Sequence, residues 1–331
     1  MTVIEVLPKD AIPPVYEPTF EPVEAYPYEP DDDVIVVEID GEVRGYPIRY
    51  LTYHEIVDDE LGGVPIAVTW CPLCGSVLVF DRRVDGQTLT FGVSGKLDDD
   101  TLVMYDHETG SEWKQSLSEG IAGEHEGTRL DVLPSSVTTY ERFREDHPDA
   151  AVLEAPGGAS ETASETDEPA QVDYSENNFD DYFESDGFGL AAHRGDGPGV
   201  EREFPLDWLD PKTVVVGLEH DGDAVGLPRP EVEAAGGVVS VTVGGAAAVV
   251  VATAHGTHAF HDPGYDWEAT RGGFRGDGAL WDGVTGETVD EPAAHSGEAY
   301  RQRDPLERFP AIRLFAFGWV DNHGTDALFR A

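Results

Sequence analysis

Basic residues are scarce in this chain. Its 331 residues contain 66 Asp and Glu against 21 Lys and Arg, which gives a net charge of −45. Such an acidic surface repels nucleic-acid phosphates and anionic lipids, so we expect neither nucleic acid nor a membrane as partner. The acidic residues are spread along the whole sequence. This pattern is typical of a halophilic protein from an archaeon, because molar salt shortens the Debye length to about 3 Å and screens the self-repulsion.

Long apolar segments are also missing. The longest, Val238–Ala254, is interrupted by glycine and hydroxyl residues, and it is shorter than the roughly 20 residues that a membrane-spanning helix needs. The first ten residues lack a basic stretch followed by an apolar one. We therefore expect no signal peptide and a cytoplasmic location.

Several common catalytic motifs are absent from the sequence. It contains no G-x-x-x-x-G-K, no G-x-G-x-x-G between a strand and a helix, no G-x-S-x-G and no H-E-x-x-H. We therefore expect no nucleotide cofactor and no hydride-transfer, phosphoryl-transfer or α/β-hydrolase chemistry. The sequence leaves open whether the protein is an enzyme.

Cysteine occurs only twice, at Cys71 and Cys74 within Trp70-Cys-Pro-Leu-Cys-Gly-Ser76. Two thiols three positions apart can bind one metal ion, can form a disulfide, or can be an inert buried pair. In a reducing cytosol, metal binding or redox chemistry is more common than a structural disulfide. The segment after Cys74 is rich in β-branched residues, which favours a turn between strands, as in a zinc-ribbon knuckle, over a thioredoxin-like helix start.

A zinc or copper site at this turn requires further ligands of the His or carboxylate type. His54 is the best candidate, because it comes shortly before the strand that leads to Cys71. Asp106 and His107 come next, although neighbours on a strand face opposite sides. We expect Arg82 either to pair with Asp106 or to be exposed. The other candidates are the pocket residues Trp70, Ser76, Arg82, Ser111 and Trp113 and the histidines His125, His255, His258 and His261.

The composition divides the chain into four parts. Residues 1–33 are rich in proline and predict an extended N-terminal strap, 34–154 form a first repeat with the cysteine turn, 155–187 form an acidic linker, and 188–331 form a second, degenerate repeat. The repeat is inferred because Thr213–Pro228 resembles Val34–Pro47, in the same chain order as other matches. We predict an α+β, mainly β fold of two divergent pseudo-repeats, each a small antiparallel barrel or sandwich with short helices.

Local signals in the first repeat predict individual elements. Asp40-Gly41 between two β-rich runs predicts a hairpin. The apolar spacing of Ile48–Val57 predicts a helix, and Val64–Trp70 predicts the strand before the cysteine turn.

A family resemblance rests on a series of short motifs that occur in sequence. They are Leu7–Pro13, Tyr46–Ile48, His54–Val57, Trp70–Ser76, Phe80–Arg82, Leu89–Phe91 and Leu102–Asp106 through Trp113. Together they resemble the family catalogued as domain of unknown function 3179, over nearly the whole chain. The resemblance implies no particular reaction. The chain departs from the family pattern at residues 98–100 and at Asp58, where the family tends to have Asn.

Three functional hypotheses follow from these residues. The first is binding of Zn or Cu through Cys71, Cys74 and His54, with Asp106 or His107 as further ligands. The second is a thiol–disulfide oxidoreductase in which Cys71 attacks and Cys74 resolves the mixed disulfide. The third is a non-enzymatic scaffold that binds another protein.

Overall fold

The computed structural model describes residues 3–164, 169–195, 202–270, 273–289 and 303–331. Residues 1–2 of the predicted strap, 165–168 of the predicted linker, and 196–201, 271–272 and 290–302 of the predicted second repeat lie outside the described residues. The described ranges are mostly β-strand, with a few short helices and many small sheets. The prediction of an α+β, mainly β fold is therefore confirmed.

The described part of the first half contains seventeen short strands and four short α-helices. The strands are β1 (Val3–Glu5), β2 (Phe20–Pro22), β3 (Asp33–Ile39), β4 (Glu42–Pro47), β5 (Ile56–Leu61), β6 (Val64–Cys71), β7 (Ser76–Asp81), β8 (Arg83–Val84), β9 (Gln87–Thr88), β10 (Phe91–Asp98), β11 (Thr101–Asp106), β12 (Glu112–Lys114), β13 (Glu119–Ala122), β14 (Ser136–Thr139), β15 (Ala151–Leu153), β16 (Ala159–Ser160) and β17 (Ala170–Gln171). The helices are α1 (Ile48–Leu51), α2 (Tyr140–Asp146), α3 (Asp180–Glu184) and α4 (Gly189–Arg194).

The described part of the second half adds nine strands and two helices. The strands are β18 (Val214–His220), β19 (Asp223–Pro228), β20 (Val238–Val243), β21 (Ala246–Thr253), β22 (Gly256–His261), β23 (Glu268–Thr270), β24 (Gly273–Gly276), β25 (Ala279–Trp281) and β26 (Ala311–Phe315). The helices are α5 (Arg229–Ala234) and α6 (Ala316–His323).

One sheet connects the two halves. Its six strands have the order β19-β18-β26-β7-β6-β5, so that the late strand β26 lies between a strand of the second half and the strand that follows the cysteine turn. Two five-stranded sheets, β1-β10-β11-β12-β13 and β14-β3-β4-β15-β2, and the two-stranded sheets β8-β9 and β16-β17 belong to the first half. Three-stranded sheets β20-β21-β22 and β23-β24-β25 belong to the second half. The cysteine turn is therefore built on a sheet to which both halves contribute.

The two halves share an order of elements. A hairpin, a short helix and three further strands occur as β3-β4-α1-β5-β6-β7 and again as β18-β19-α5-β20-β21-β22. This common order is compatible with the predicted repeat, which stays a prediction.

The hairpin β3–β4 forms as its sequence predicts. Asp40 and Gly41 both have positive φ, +51° and +79°, which is the geometry of the tight turn that an Asp-Gly pair favours. The predicted helix over Ile48–Val57 is wrong beyond its first turn, because α1 ends at Leu51 and Ile56 already begins β5. Pairing with β6 outweighs the helical spacing of the apolar side chains.

The segment predicted as an acidic linker carries short elements that pack on the first half. Phe179 and Tyr182 are buried in the same apolar cluster as Cys71 and Cys74. Trp319 on α6 belongs to this cluster too, so the interior around the cysteines combines the first half, the segment after residue 170 and the C-terminal helix. No helix in the described ranges is both long enough and apolar enough to cross a membrane.

Candidate functional site

The two cysteines lie at a tight turn between β6 and β7. Cys71 is the last residue of β6 and is paired in register with Ser76, the first residue of β7. Gly75 has a φ of +60°, a left-handed conformation that suits glycine. The Phe315 N–H of β26 donates to the Cys74 carbonyl at 2.8 Å, so the last sheet strand of the second half holds the turn in place. Both cysteines are free thiols.

A chain of hydrogen bonds fixes the surroundings of Cys74. The Thr69 hydroxyl donates to the Leu78 carbonyl at 2.8 Å and accepts from Gln115 Nε2 at 2.9 Å. This orients Gln115 so that its Oε1 accepts from the Ser76 hydroxyl at 2.5 Å. Cys74 Sγ lies 3.1 Å from Ser76 Oγ. The Ser76 hydroxyl already donates its proton to Gln115, so the neutral Cys74 thiol donates to Ser76 Oγ. If Cys74 becomes a thiolate, the Ser76 hydroxyl must rotate to donate to its sulfur.

The two thiols have different acidities. Burial raises the pKa of Cys71 well above its ordinary value, and its hydrogen bond to Cys74 adds to the effect. Burial also opposes ionisation of Cys74, but hydrogen bonds from Cys71, from Ser76 and from the Leu102 backbone to its sulfur lower the pKa overall. Cys74 is therefore the sulfur that holds negative charge more easily.

A cleft of about 620 Å³ opens beside the cysteine turn. Its walls are the N-terminal strap around Ile12, strand β10 around Val93, the turn residues Cys71 and Leu73, and residues within 161–164 and 177–194. Cys71 is 2% exposed and lines the cleft, whereas Cys74 is 0% exposed and lies behind it. A small molecule in the cleft therefore meets Cys71 first.

Glu55 is a buried carboxyl group in the wall of the same cleft. Its carbonyl accepts a hydrogen bond from the Trp70 N–H at 2.8 Å, which places it beside the strand end that carries Cys71. Its Oε2 has no hydrogen-bond partner among the described residues. Burial raises the pKa of Glu55 well above its ordinary value, and the neighbouring Cys71 and Glu161 add to this. Burial thus makes the ionised form of Glu55 a stronger base than an ordinary carboxylate.

The backbone of Glu55 is also unusual. Its φ is +58°, a left-handed conformation that is uncommon for residues other than Gly, Asn and Asp and that is enriched at functional sites. Glu55 lies directly before β5, and its side chain lines the cleft.

The far wall of the cleft is aromatic. The His193 ring stacks on Phe179, with ring centroids 4.2 Å apart and an interplanar angle of 6°. Burial, together with the adjacent Arg194, lowers the pKa of His193 to about 4, so its ring is neutral at ordinary pH. The Tyr182 hydroxyl donates to the Leu73 carbonyl at 2.6 Å. This bond ties the segment to the cysteine turn.

His54, the predicted metal ligand, has other partners. Its Nδ1–H donates to the Pro13 carbonyl at 2.8 Å, and its Nε2 accepts from the Tyr174 hydroxyl at 2.6 Å. Both ring nitrogens are therefore used, and burial lowers the pKa of the ring. His54 anchors the N-terminal strap and the segment around Tyr174.

Asp106, Ser111 and Trp113 form a structural cluster at the end of β11. Asp106 accepts from the Trp113 indole at 3.0 Å and from the Thr109 backbone at 2.6 Å. Ser111 Oγ lies 2.6 Å from the Thr109 hydroxyl. His107 instead lies with its Nε2 3.0 Å from the Tyr16 hydroxyl. All these polar groups are occupied by hydrogen bonds that shape the turn.

Arg82 does not pair with Asp106. It lies 3.6 Å from Asp58 and donates to the carbonyls of Leu89 and Asp59. β5 brings Asp58 to this position, and the sequence spacing gave no sign of it. Trp70 is buried, with Arg313 over its ring at 5.6 Å from the centroid.

The other histidines do not join the cysteines in a ligand set. In the described ranges no group of three or more His, Cys, Asp or Glu residues has an arrangement that holds a metal ion. His125 stacks near Trp113, and His255, His258 and His261 lie on or next to β22 in the second half. The structure therefore offers the two thiols, without a gathered set of further ligands among these residues.

Comparison with protein families gives one match. The profile of a family described as a protein of unknown function, DUF3179, covers residues 9–325, which is nearly the whole chain. The chain belongs to this family. Comparison with curated proteins gives no match, and comparison with solved structures gives none either. Membership in DUF3179 confirms the resemblance drawn from the short motifs and assigns no activity.

Sequence reasoning missed three residues of this DUF3179 site: Glu55, Gln115 and Thr69. Glu55 directly follows His54 within one of the family motifs, and that position was the only available signal. Gln115 bonds to both Thr69 and Ser76, and these contacts form only because β6 pairs with β7 and a 3₁₀ turn after β12 carries Gln115.

Proposed function

We propose that the protein is a thiol–disulfide oxidoreductase that acts on a low-molecular-weight disulfide. The observation that carries this proposal is the position of the two thiols, which lie buried at one turn while only Cys71 lines the cleft. An attacking thiol must meet the substrate, and a resolving thiol must meet only its partner. The 2% exposure of Cys71 favours a small substrate that enters the cleft over a disulfide on the surface of a folded protein.

Glu55 is the proton carrier in this proposal. Its raised pKa makes the Glu55 carboxylate a better proton acceptor than an ordinary carboxylate. Its free Oε2 leaves one oxygen available for this transfer. It lies beside Cys71, whose own pKa is raised by burial, so the thiol needs such an acceptor.

The reaction proceeds in two displacements that balance. Cys71 loses its proton to the Glu55 carboxylate, its sulfur attacks one sulfur of the substrate disulfide RSSR, and the departing RS⁻ takes the proton from Glu55. Cys74 then attacks the Cys71 sulfur, forms the Cys71–Cys74 disulfide and releases the second thiol, which takes the Cys74 proton. Two electrons and two protons pass from the protein to RSSR, which yields two RSH.

Trapping the mixed disulfide tests the proposal. Reduced protein is incubated with glutathione disulfide and examined by intact-mass spectrometry after acid quenching. The unmodified protein should lose two hydrogen atoms. Cys74→Ser should accumulate one glutathione on Cys71, because the resolving thiol is missing, and Cys71→Ser should remain unmodified.

The result that overturns the proposal is equally specific. If folded wild-type protein keeps both hydrogens and folded Cys74→Ser gains no glutathione, Cys71 does not perform the attack. A denatured control, in which both thiols react, shows that the reagent was active.

A second candidate function is metal binding by the two thiols. It is favoured by the backbone N–H groups of Cys74, Ser76 and Leu102, which donate to the sulfurs as the amides of a metal-binding knuckle do. The residues do not fit zinc, which needs about four ligands, since the described ranges gather no third one. The two cysteines fit better a soft metal ion for which two thiolate ligands are enough, such as Cu(I). Metal analysis of reduced, untagged protein tests this, and a metal content that Cys71→Ser leaves unchanged would exclude it.

A further inference from the structure

A second cavity, unrelated to the thiols, lies where the two halves of the chain meet. It measures about 140 Å³ and is lined from the first half by Asp33 and the segment 135–139, and from the second half by residues near β22 and β26. We call it the inter-half cavity. Its titratable lining residues among those described are Asp33, Arg229, His255, His258 and Arg313. One carboxylate thus faces two guanidinium groups and two imidazoles, in a chain whose acidic residues outnumber the basic ones threefold.

His258 is the most informative residue of the inter-half cavity. It is 2% exposed, and neither Nδ1 nor Nε2 has a hydrogen-bond partner among the described residues. A buried imidazole without partners costs free energy, because its polar atoms lose water and gain nothing. A ligand with hydrogen-bonding atoms in the cavity would remove this cost.

The charges around His258 define the kind of ligand. Burial lowers its pKa well below the ordinary value, and four positive neighbours act in the same direction: Arg308, Arg142, His255 and Arg229. Arg142 is neutralised by Asp146 and Asp282, and Arg229 is paired with Glu233. Arg313 lies 3.8 Å from Asp33, a separation too long for a hydrogen bond. Because the charged neighbours that lower the pKa of His258 are all positive, its surroundings disfavour a cation and favour an anion.

Donors are available around the cavity for such an anion. Arg229 donates through Nε to Glu233 and through Nη2 to the Thr253 carbonyl, and Arg313 donates through Nη1 to the Gly75 carbonyl, which leaves further N–H groups on each guanidinium for a ligand. His255, which also lines the cavity, has its Nδ1 3.1 Å from the Thr139 hydroxyl. Guanidinium groups match the oxygens of an oxyanion, and a neutral imidazole supplies one further N–H. The volume admits an ion of a few heavy atoms.

We propose that the inter-half cavity is a binding site for a small oxyanion, held between His258, Arg229 and Arg313. Both inorganic oxyanions and short carboxylates have this chemistry. The site links the halves, because Arg313 also donates to the Gly75 carbonyl at 2.9 Å in the cysteine turn. The inference stands independently of the proposed redox function.

Titration with sulfate tests the site, and a parallel titration with acetate distinguishes the two kinds of oxyanion. Binding to the full chain is measured by calorimetry at constant potassium chloride, and the histidine ring resonances are followed by NMR. We expect one saturable sulfate or acetate site per chain and a saturable shift of the His258 resonance. Binding should weaken at least tenfold in His258→Phe. It should weaken as much in Arg229→Gln, because this variant lacks a guanidinium that lines the cavity.

His261→Gln is the matched control. It lies on the same strand, three residues from His258, and packs on Phe309 outside the cavity. The affinity of the His261→Gln variant for sulfate or acetate should equal that of the wild type. The proposal is overturned if neither anion saturates, or if Arg229→Gln, checked for a native melting transition, binds as tightly as the wild type.

Discussion

At the scale of single residues, Glu55 distinguishes this cysteine pair from two inert buried thiols. A buried pair needs no neighbouring carboxyl group, yet this one has a strained, buried glutamate beside it with a free oxygen. Strain and an unsatisfied buried polar atom both cost stability, and proteins retain such costs mostly at functional sites.

Glu55→Gln should separate proton transfer from thiol reactivity. A glutamine keeps the size and the neutral charge of protonated Glu55 but cannot accept or return the Cys71 proton. We expect exchange with glutathione disulfide to slow by roughly 100-fold, in the range of general acid–base catalysis. Alkylation by iodoacetamide, which needs no proton delivery to a leaving group, should change little. Both rates are measured by quenched mass spectrometry.

The exposed carboxylate Glu60 on β5 provides the control for this comparison. Glu60→Gln should alter neither rate. Equal exchange rates in Glu55→Gln and wild type would remove Glu55 from the proposed mechanism.

Asp58 makes the stability of the protein depend on pH. Burial raises its pKa from 3.8 to about 7, although Arg82 and the Phe91 N–H oppose the shift. Between these two values the folded state holds a proton that the unfolded state has lost, so the free energy of unfolding falls as pH rises from about 4 to about 7. Asp58→Asn should remove this contribution, on the order of 2–4 kcal/mol.

Urea denaturation at pH 5 and pH 8, at constant salt, measures the effect of Asp58→Asn. The wild type should lose more stability between the two pH values than the variant does. Asp131→Asn, at an exposed position, should keep the wild-type difference, and an unchanged difference in Asp58→Asn would contradict the assignment.

At the scale of elements, the turn between β6 and β7 is held by close packing against β26. A Cβ atom built on Gly75 would lie 2.6 Å from the Phe315 ring, in addition to the strain of a φ of +60°. Gly86, in the β8–β9 turn, has a similar φ of +83° but open space around it. An alanine at Gly86 would therefore meet backbone strain alone, whereas an alanine at Gly75 would meet backbone strain and steric overlap with Phe315.

Gly75→Ala should therefore destabilise the protein more than Gly86→Ala. The strain alone costs about 1 kcal/mol, and overpacking adds roughly 1–3 kcal/mol. Chemical denaturation of both reduced variants measures the two costs. Equal losses would mean that Phe315 moves aside freely.

The same elements show how far sequence reasoning reached. The β3–β4 hairpin and the strand before the cysteines could be predicted, because turn residues and β-branched runs act locally. The helix over Ile48–Val57 was wrong after one turn, because pairing between β5 and β6 is a tertiary effect. Glu55, Gln115 and Arg82 find their partners only in the folded sheet, so their contacts could not be read from spacing.

At the scale of the whole molecule, the two halves are joined by β26 and α6. Trp319 on α6 is 0% exposed and packs directly over Gly217 and Gly226, where a Cβ atom would lie 2.1 Å and 2.5 Å from its ring. It shares an apolar cluster with both cysteines. Packing of the C-terminal helix therefore bears on the burial of the thiols.

Trp319→Ala should cost about 3–5 kcal/mol, the range for large buried side chains. It should also speed the reaction of the native thiols with an aromatic disulfide reagent, because α6 no longer closes the interior around Cys74. Denaturation curves and reagent kinetics measure the two effects. Asp326→Ala, at an exposed position after α6, should change neither, and thiols as slow in Trp319→Ala as in wild type would contradict the link.

The late position of β26 in the chain has a consequence during synthesis. The bond from the Phe315 N–H to the Cys74 carbonyl can form only after residue 315 has left the ribosome. Until then the nascent polypeptide lacks this contact for the time needed to translate some 240 further codons, counted from Cys74 to Phe315. The cysteine turn therefore gains its contact with β26 only after the other five strands of this sheet have been synthesised.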